Sequence, residues 1–384
     1  MAPIVIIGTG HAGVMLGREF RKRDAETPLL YLTADDGAAY YKPNLSKALA
    51  DGKQPDALVM QSPDKLGEVL NASVRANCQV SKIDPAAQHV ELTGGERIAY
   101  SKLVLALGAD PVRLPFEGSG AGEVRSVNDL LDYRSFRDNL PAGGRVAIIG
   151  AGLIGSEFAN DLAATDHVVH LIDLADWPLS RLLPRPLGQA LGEALAEGGV
   201  HLHLGQSVKR IERNGETLSI ETSGGDAIQA DIVLSAVGLA PRTTLASAAG
   251  IHCNRGVVVD DHLATNAADV YSLGDCAEIG GHVLPYIMPA THAARALAAT
   301  LAGEATPLSW PAMPVVVKTP MCPTVVCPPS SATGSWGQIE GEGRDLSAIF
   351  TDDAGQACGF ALTGAATRRR GELAKLMPPL LKSG

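Results

Sequence analysis

The stretch Ile4-Val5-Ile6-Ile7-Gly8-Thr9-Gly10-His11-Ala12-Gly13 places four apolar residues before three glycines spaced as G-x-G-x-x-G. The apolar residues predict a buried strand, and the following segment, His11 to Arg23, is compatible with a helix. In such a unit the first glycine permits a tight turn, the second lets backbone approach a pyrophosphate, and the third lets helix pack on strand. The helix N-terminus then faces the phosphate charge. The stretch therefore predicts a dinucleotide-binding α/β unit.

The same pattern occurs again in Val146-Ala147-Ile148-Ile149-Gly150-Ala151-Gly152-Leu153-Ile154-Gly155, before a helix-compatible segment from Leu153 to Ala164. The repeat extends past the glycines, because Ala106-Leu107-Gly108 and Ala236-Val237-Gly238 end later apolar strands at equivalent places. A chain that carries this pattern twice is expected to bind two dinucleotides. Further helices are predicted over residues 129–140, 187–198 and 289–301.

An acidic residue follows the second apolar run of each unit. Asp35 and Asp36 follow the first such run, and Asp173 follows Val168–Ile172. A carboxylate at this place accepts hydrogen bonds from the adenosine ribose and repels a 2′-phosphate. Either Asp35 or Asp36 is expected to hold the ribose at the first site. Asp173, with no arginine nearby before Arg181, predicts NADH rather than NADPH at the second.

Size, charge and cysteine content limit the class of protein. A chain of 384 residues with 46% hydrophobic residues is long enough for two or three domains. The net charge of −10 argues against a nucleic-acid-binding or general membrane-binding surface. No apolar run has the roughly 18 residues of a membrane span, and no signal-peptide pattern is seen, so a cytoplasmic location is expected. The six cysteines are scattered without a CxxC, which disfavours a metal site and favours inert thiols over a redox disulfide.

A basic cluster near the C-terminus opposes the acidic average of the chain. Its members are Arg368, Arg369, Arg370 and Lys375, with Glu372 as the acid among them. The cluster is either a solvated helix face or a docking surface for an acidic partner.

Taken in order, these motifs resemble the flavoprotein reductases of the glutathione-reductase-like superfamily, over essentially the whole length. Further marks are Leu239-Ala240-Pro241-Arg242 after the second repeat strand and Val270-Tyr271-Ser272-Leu273-Gly274-Asp275-Cys276-Ala277. The resemblance implies an α/β fold of two Rossmann-like dinucleotide-binding domains plus a small C-terminal α+β domain. The implied boundaries are 1–110 with 241–308 for an FAD-binding domain, 111–240 for an NADH-binding domain and 309–384 for a C-terminal interface domain.

Within that superfamily, the segment Tyr40-Tyr41-Lys42-Pro43-Asn44-Leu45-Ser46 lacks the cysteine found there in disulfide reductases and NADH oxidases. It is similar to the reductases of rubredoxin, ferredoxin and flavorubredoxin, and with Val317-Lys318-Thr319-Pro320 it most resembles the NADH-dependent rubredoxin reductases of alkane-degrading bacteria. This implies electron transfer from NADH through FAD to rubredoxin, an acidic iron protein, to supply an alkane-hydroxylating or oxygen-detoxifying chain. A ferredoxin or flavorubredoxin reductase is the alternative. A disulfide or peroxide reductase and a flavin-bearing NADH sensor are further ones.

The resemblance also assigns roles to individual residues. Lys42 and Lys318 are expected to contact the flavin as cations that stabilise its reduced ring, and Asp275 to hold the ribityl chain. Glu157 is expected to act with the loop lysine, Lys42 or alternatively Lys47, beside the nicotinamide; helix-dipole stabilisation is the competing explanation for this glutamate. The other expected contacts are Gly8, Thr9, Gly10, His11, Ala12, Gly13, Val80 and Ile287 for FAD, and Gly150, Gly152, Leu153, Ile154, Gly155 and Gly238 for NADH.

Overall fold

A computed structural model describes residues 2–381 of the chain. The last three residues of the predicted C-terminal domain lie outside this range. The helices are α1 (His11–Arg21), α2 (Pro63–Leu70), α3 (Leu130–Asp138), α4 (Leu153–Ala163), α5 (Arg185–Glu197), α6 (Thr244–Ala248), α7 (Ile287–Leu301) and α8 (Arg370–Leu376).

The strands of the first half are β1 (Ile4–Ile7), β2 (Leu29–Leu32), β3 (Ala39–Tyr40), β4 (Val59–Gln61), β5 (Ala72–Arg75), β6 (Val80–Asp84), β7 (His89–Leu92), β8 (Arg97–Ala99), β9 (Lys102–Leu105), β10 (Ala109–Pro111), β11 (Arg145–Ile149), β12 (Val168–Asp173) and β13 (Val200–Leu204). The remaining strands are β14 (Val208–Asn214), β15 (Thr217–Thr222), β16 (Ala227–Ala230), β17 (Ile232–Ser235), β18 (Leu239–Pro241), β19 (Val257–Val259), β20 (Val270–Ser272), β21 (Ala277–Ile279), β22 (Val315–Val317), β23 (Thr324–Cys327), β24 (Ser335–Trp336), β25 (Glu340–Glu342), β26 (Asp345–Thr351) and β27 (Ala357–Thr363).

The first fingerprint lies in a five-stranded parallel sheet of order β20-β9-β1-β2-β5. Helix α1 follows β1 as expected and buries Phe20, while α7 packs beside it in the same core. Strand β20 reaches this sheet from late in the chain, so two separated stretches of sequence build the first unit. Alternating parallel strands and helices of this kind form the doubly wound architecture in which ligands bind beyond the carboxyl ends of the strands.

The second fingerprint lies in a four-stranded parallel sheet of order β13-β12-β11-β17, with α4 and α5 connecting its strands. Each parallel sheet has a three-stranded antiparallel layer beside it, β6–β8 in the first unit and β14–β16 in the second. The chain passes from the first unit to the second through β10 and returns through β18, and these two strands pair antiparallel. The fold class predicted from the repeated fingerprint is thus confirmed.

The two first glycines of the fingerprints explain why the repeat extends to later strands. Gly8 has a φ of +115°, and a Cβ there would overlap the carbonyl oxygen of Ala106. Gly150 has a φ of +103°, and a Cβ there would lie 2.7 Å from the carbonyl oxygen of Ala236. In both units the turn packs directly on the end of the strand that the sequence repeat identified.

The C-terminal part forms a six-stranded sheet of order β22-β23-β27-β26-β24, in which β25 also pairs with β26. Its pairs are antiparallel, and β27 is buried along most of its length. Helix α8 packs on this sheet through Leu373. The predicted small α+β region is confirmed, whereas the domain boundaries stay a prediction that the strand membership of the sheets supports.

Among the helices within residues 2–381, none is both long and apolar enough to cross a bilayer.

Candidate active site

The first cradle is shaped for a phosphate group. Gly10 is the N-cap of α1, and a Cβ built on it would meet no atom within 4 Å, so the space above the helix N-terminus is open. Gly13 packs against the carbonyl of Gly8, and Thr9 is buried beneath the turn. Backbone N–H groups at a helix N-terminus that face open space form an anion-binding site.

His11, the first residue of α1, carries an unpaired polar atom at this cradle. Its Nε2 is buried and has no hydrogen-bond partner among residues 2–381, while its ring lies edge-on to Tyr41 at 6.0 Å between centroids. Burial, together with the nearby Arg18, lowers the pKa of His11, so the imidazole is neutral at neutral pH. Because buried polar atoms are nearly always hydrogen-bonded, a bound dinucleotide fits the missing partner.

Asp275 lies in the turn that follows β20, against the same cradle. A Cβ on the preceding Gly274, whose φ is +80°, would lie 2.7 Å from the Cβ of Ala12. Burial raises the pKa of the Asp275 carboxyl, and the charge of Lys42 opposes that shift. Lys42 donates through Nζ to Oδ1 of Asn128 at 2.8 Å. The structure thus brings the predicted residues Asp275 and Lys42 together next to the first fingerprint.

Glu157 is the fifth residue of α4, one turn from its start, and is 2% exposed. Its Oε2 accepts hydrogen bonds from Ser46 Oγ and Lys318 Nζ, each at 2.5 Å, and its Oε1 accepts from the backbone N–H of Lys318 at 3.0 Å. A buried carboxylate needs such partners, because an unpaired buried charge is strongly destabilising. The three residues join the second fingerprint helix, the loop of the first unit and the C-terminal sheet.

The predicted pairing of Glu157 with Lys42 or Lys47 is wrong. Lys42 donates its hydrogen bond to Asn128, and Lys47 forms an ion pair with Asp51 at 3.1 Å. Residues Lys42–Lys47 form a 3₁₀ helix that turns Ser46 inward to the carboxylate. The cation comes instead from the end of β22, as Lys318, a residue that sequence reasoning assigned only to the flavin.

Two residues that contact the predicted site residues were not identified from the sequence, Ser46 and Asn128. Ser46 belongs to the quoted loop motif, and its position there was the available signal. Asn128 belongs to no motif that the sequence shows. Its amide also donates to the carbonyl of Ala109 at 2.9 Å, and its backbone N–H donates to Asp132. Its placement depends on the chain crossing between the two units.

Asp35 and Asp36, the candidates for the ribose of the first site, both have partners in their own loop. Asp35 accepts from Thr33 Oγ1 at 2.6 Å and from the N–H of Gly37 at 3.0 Å. Asp36 accepts from Ala38 N and forms an ion pair with Arg134. The choice between the two carboxylates stays a prediction.

The second cradle repeats the geometry of the first. Gly152 is the N-cap of α4, and a Cβ on it would also meet no atom within 4 Å. Asp173 ends β12 and accepts hydrogen bonds from the N–H of Ala151 at 2.5 Å and of Ala175 at 2.8 Å. The predicted specificity residue therefore lies at the edge of the second fingerprint.

The other predicted contacts occupy the following places. Leu153, Ile154 and Gly155 form the first turn of α4, where Ile154 is 44% exposed. Gly238 has a φ of +123° before β18, Val80 begins β6, and Ile287 begins α7.

An open cavity of about 330 Å³ lies beside the Glu157 cluster. Its lining includes Ser46, Lys47, Asn160, Lys318 and Pro323. The cavity is thus bounded by the loop of the first unit, by α4 of the second and by the C-terminal sheet.

A model of the family described as pyridine nucleotide-disulphide oxidoreductase matches residues 2–298. The chain belongs to this family. Membership implies the use of a flavin and of a nicotinamide dinucleotide, which agrees with the two cradles. A second model, described as rubredoxin binding C-terminal domain, matches residues 307–377.

Individual proteins are similar to this chain over most or all of its length. A rubredoxin-NAD(+) reductase from Alcanivorax borkumensis is 47% identical, covering 99% of this chain and 100% of the relative. A nitric oxide reductase FlRd-NAD(+) reductase from Aeromonas salmonicida is 38% identical, covering 94% and 92%. The solved structure of a covalent putidaredoxin reductase-putidaredoxin complex superimposes with a TM-score of 0.89 at 25% identity, covering 98% and 94%.

Burial makes four of the six cysteines poor candidates for a reactive thiolate. All six are free, and burial raises the pKa of Cys253, Cys276, Cys322 and Cys327, the last to about 11. A thiol with a raised pKa stays protonated near neutral pH and is a poor nucleophile.

Proposed function

We propose that this chain is an FAD-dependent reductase that moves electrons from NADH to a rubredoxin. The observation that carries the proposal is the Glu157 cluster, where the second fingerprint helix, the loop of the first unit and Lys318 meet beside an open cavity. Lys318 belongs to the segment that matches the rubredoxin binding C-terminal domain. Both fingerprint units and the matched C-terminal segment therefore meet at one place, which supports the proposal.

FAD fits the first cradle better than a mononucleotide would. The open helix N-terminus at Gly10 suits a pyrophosphate, and the acids after β2 suit an adenosine ribose. Flavin mononucleotide has neither group. Asp275, His11 and Lys42 would contribute the remaining contacts. When bound, FAD accepts a hydride from NADH and releases electrons singly to an iron centre.

The chain supplies orientation and charge rather than a nucleophile. Glu157 holds the Lys318 ammonium and backbone in one position, and Ser46 fixes the carboxylate from the other side. A preorganised cation next to a group that gains negative charge stabilises that charge without rearrangement. Asp173 supports the choice of NADH, because a 2′-phosphate would meet its negative charge.

The acceptor proposal is supported by the location of the basic cluster. Arg368, Arg369 and Arg370 are exposed on the 3₁₀ turn that begins at Gly364 and on the start of α8. The N–H of Gly364 donates to the carbonyl of Pro323, which lines the cavity, at 2.8 Å. A positive patch near the cavity would attract an acidic iron protein to an otherwise acidic chain. Rubredoxin reduced here would supply an alkane-hydroxylating or oxygen-detoxifying chain.

A flavorubredoxin reductase is the second candidate, because the Aeromonas relative named for that acceptor is 38% identical over 94% of this chain. The two candidates differ only in the protein that docks. Competition between rubredoxin and a flavorubredoxin for the reduced enzyme separates them, since the natural acceptor should have the higher kcat/KM.

The test is the NADH-dependent bleaching of rubredoxin by the purified yellow protein, with the bound flavin identified by mass. We expect FAD, turnover with rubredoxin, and a kcat/KM for NADH at least about tenfold above that for NADPH. Flavin reduction without transfer to any iron protein would instead indicate a sensor. Turnover that needs a disulfide substrate and is lost on replacing one cysteine would indicate a disulfide reductase.

A further inference from the structure

The start of α5 carries an arginine that already has two partners in the loop between β12 and α5. Arg185, the first residue of α5, forms an ion pair through NH2 with Asp176 Oδ2 at 2.9 Å. Its guanidinium also lies over the ring of Trp177, 4.8 Å from the centroid. Planar stacking on an aromatic face and a carboxylate contact are the two interactions that arginine favours.

Trp177 is held in place by the surrounding backbone. Its Nε1 donates to the carbonyl of Leu183 at 3.1 Å, and a side chain at Gly188 would overlap its ring. The ring therefore rests on the first turn of α5, beneath Arg185. This arrangement fixes the platform on which the guanidinium lies.

This loop is also the rim of the second cradle. Asp176 lies three residues after Asp173, and the loop is tied to the end of β13 by hydrogen bonds from Gly205 N to Ala175 O at 3.0 Å and from Gln206 N to Asp173 O at 2.9 Å. In a Rossmann-like unit the adenosine 2′ position lies at the end of the second strand, which here is Asp173. Through Asp176, Arg185 is tied to the loop that begins at Asp173. A guanidinium released from that tie has a long, flexible side chain with which to reach a 2′-phosphate.

We propose that Asp176 is a second coenzyme-specificity residue, which acts by holding Arg185 on Trp177 and away from a 2′-phosphate. The inference rests on the proposed function and deepens it. Asp173 excludes NADPH by its own charge, whereas Asp176 removes the arginine that would otherwise bind the extra phosphate. Both must be changed before NADPH is well used.

The experiment compares wild type with Asp176→Asn, Asp173→Asn, the double variant and Asp176→Asn/Arg185→Ala. We expect Asp176→Asn to raise kcat/KM for NADPH about threefold to tenfold, because a freed guanidinium then attracts a charge at short range across solvent. The value for NADH should stay within about twofold. The gain should be larger in the Asp173→Asn background, since the repelling carboxylate is then neutral.

Calorimetric binding of 2′,5′-ADP and of 5′-AMP provides a readout that needs no turnover. Asp176→Asn should tighten 2′,5′-ADP and leave 5′-AMP unchanged, and the added Arg185→Ala should abolish the gain. The matched control is Glu304→Gln, an exposed acid paired with Arg23 at 2.9 Å in another part of the chain.

Two results would overturn the inference: an Asp176→Asn effect no larger than that of Glu304→Gln, or a gain that persists without Arg185. Failure of the wild type to oxidise NADH would instead contradict the proposed function. The binding of 2′,5′-ADP still reports on Asp176 in that case, so the two failures are distinguishable.

Discussion

At the scale of single residues, the Glu157–Lys318 pair is the contact on which the site depends. The carboxylate is almost fully buried, whereas the lysine side chain is 26% exposed. Removal of one partner from a buried pair leaves an uncompensated charge, and that loss exceeds the net contribution of the pair itself. Replacement of Lys318 also removes the cation that is proposed to act at the flavin.

Lys318→Met should lower the free energy of unfolding by about 2 to 3 kcal/mol and slow rubredoxin reduction, because Glu157 then loses its ammonium partner. Glu157→Gln should slow the reaction with a smaller loss of stability, since a neutral amide tolerates burial better. Urea unfolding and the rate of rubredoxin bleaching measure the two effects.

Lys65→Met is the matched control, because Lys65 lies on α2, outside the cavity lining, and pairs with the exposed Glu68. It should change neither quantity much. A double-mutant cycle between Glu157→Gln and Lys318→Met should show coupling in both stability and rate. Strict additivity in that cycle would contradict the assigned pair.

At the scale of elements, the two strand–turn–helix units share one geometry but are assigned different ligands. The conformations of Gly8 and Gly150 are left-handed, and both pack on a carbonyl at the end of a neighbouring strand. An alanine at either place would strain the turn and push it from that strand.

Gly8→Ala should yield protein that lacks bound FAD, whereas Gly150→Ala should yield yellow protein with weakened NADH binding. The flavin absorbance per chain and the KM for NADH measure the two losses. Gly94→Ala is the control, because Gly94 has ordinary backbone angles and open space around its Cα. Loss of flavin from the Gly150 variant alone would reverse the assignment of the two cradles.

A second element-scale feature is the histidine cluster on β12 and β13. His170 Nδ1 lies 3.1 Å from His203 Nε2, and its ring stacks on His201 at 4.8 Å. Burial, then the charges of His201, His203 and Arg145, lower the pKa of His170 to about 4. In the folded protein His170 is therefore neutral at pH values where the unfolded chain, near pKa 6.5, is already protonated.

Stability should consequently fall as the pH drops from about 6.5 to 4, because the unfolded state takes up the proton first. Allowing for the partial exposure of the ring, the loss is on the order of 1 to 2 kcal/mol. Urea unfolding across this range measures it, and His170→Gln should flatten the slope. An unchanged slope in that variant would assign the acid sensitivity to other groups.

At the scale of the whole molecule, an acidic protein is proposed to bind an acidic partner. Two acidic surfaces repel each other, and the basic cluster beside the C-terminal sheet offers a local positive surface instead. Within that cluster, Arg369 forms an ion pair with Glu340 at 3.4 Å. Contacts of this kind act on the association rate and are screened over a Debye length of roughly 8 Å at physiological salt.

Charge reversal at Arg368, Arg369 and Arg370 should slow rubredoxin reduction severalfold and flatten its dependence on ionic strength. Reduction of a neutral quinone acceptor by NADH should stay unchanged. Reversal at Lys22 and Arg23, which follow the end of α1, is the control, and it should leave the salt profile as in wild type. The same steep salt dependence in the triple variant would show that the partner docks elsewhere.

Elements that depend on local order can be predicted from the sequence alone. Three glycines at fixed spacing after an apolar run predict strand, turn and helix, and α4 begins at Leu153 as predicted. Helix starts were less accurate where a proline intervened: α5 begins at Arg185 rather than residue 187, because Pro184 serves as its N-cap and Pro186 fits its first turn. The acids after the second strands were also identified, because their place in the repeat is local.

The pairing of side chains from distant parts of the chain depends on how the separate sheets pack together. Lys318 lies 161 positions after Glu157, and Asn128 lies 86 after Lys42, so no spacing rule connects them. The C-terminal sheet brings Lys318 to α4, and the crossing between the units brings Asn128 to the loop. Periodicity reports the contacts of a segment with its own neighbours, whereas a buried charge is paired by whichever cation the packing of separate sheets places beside it.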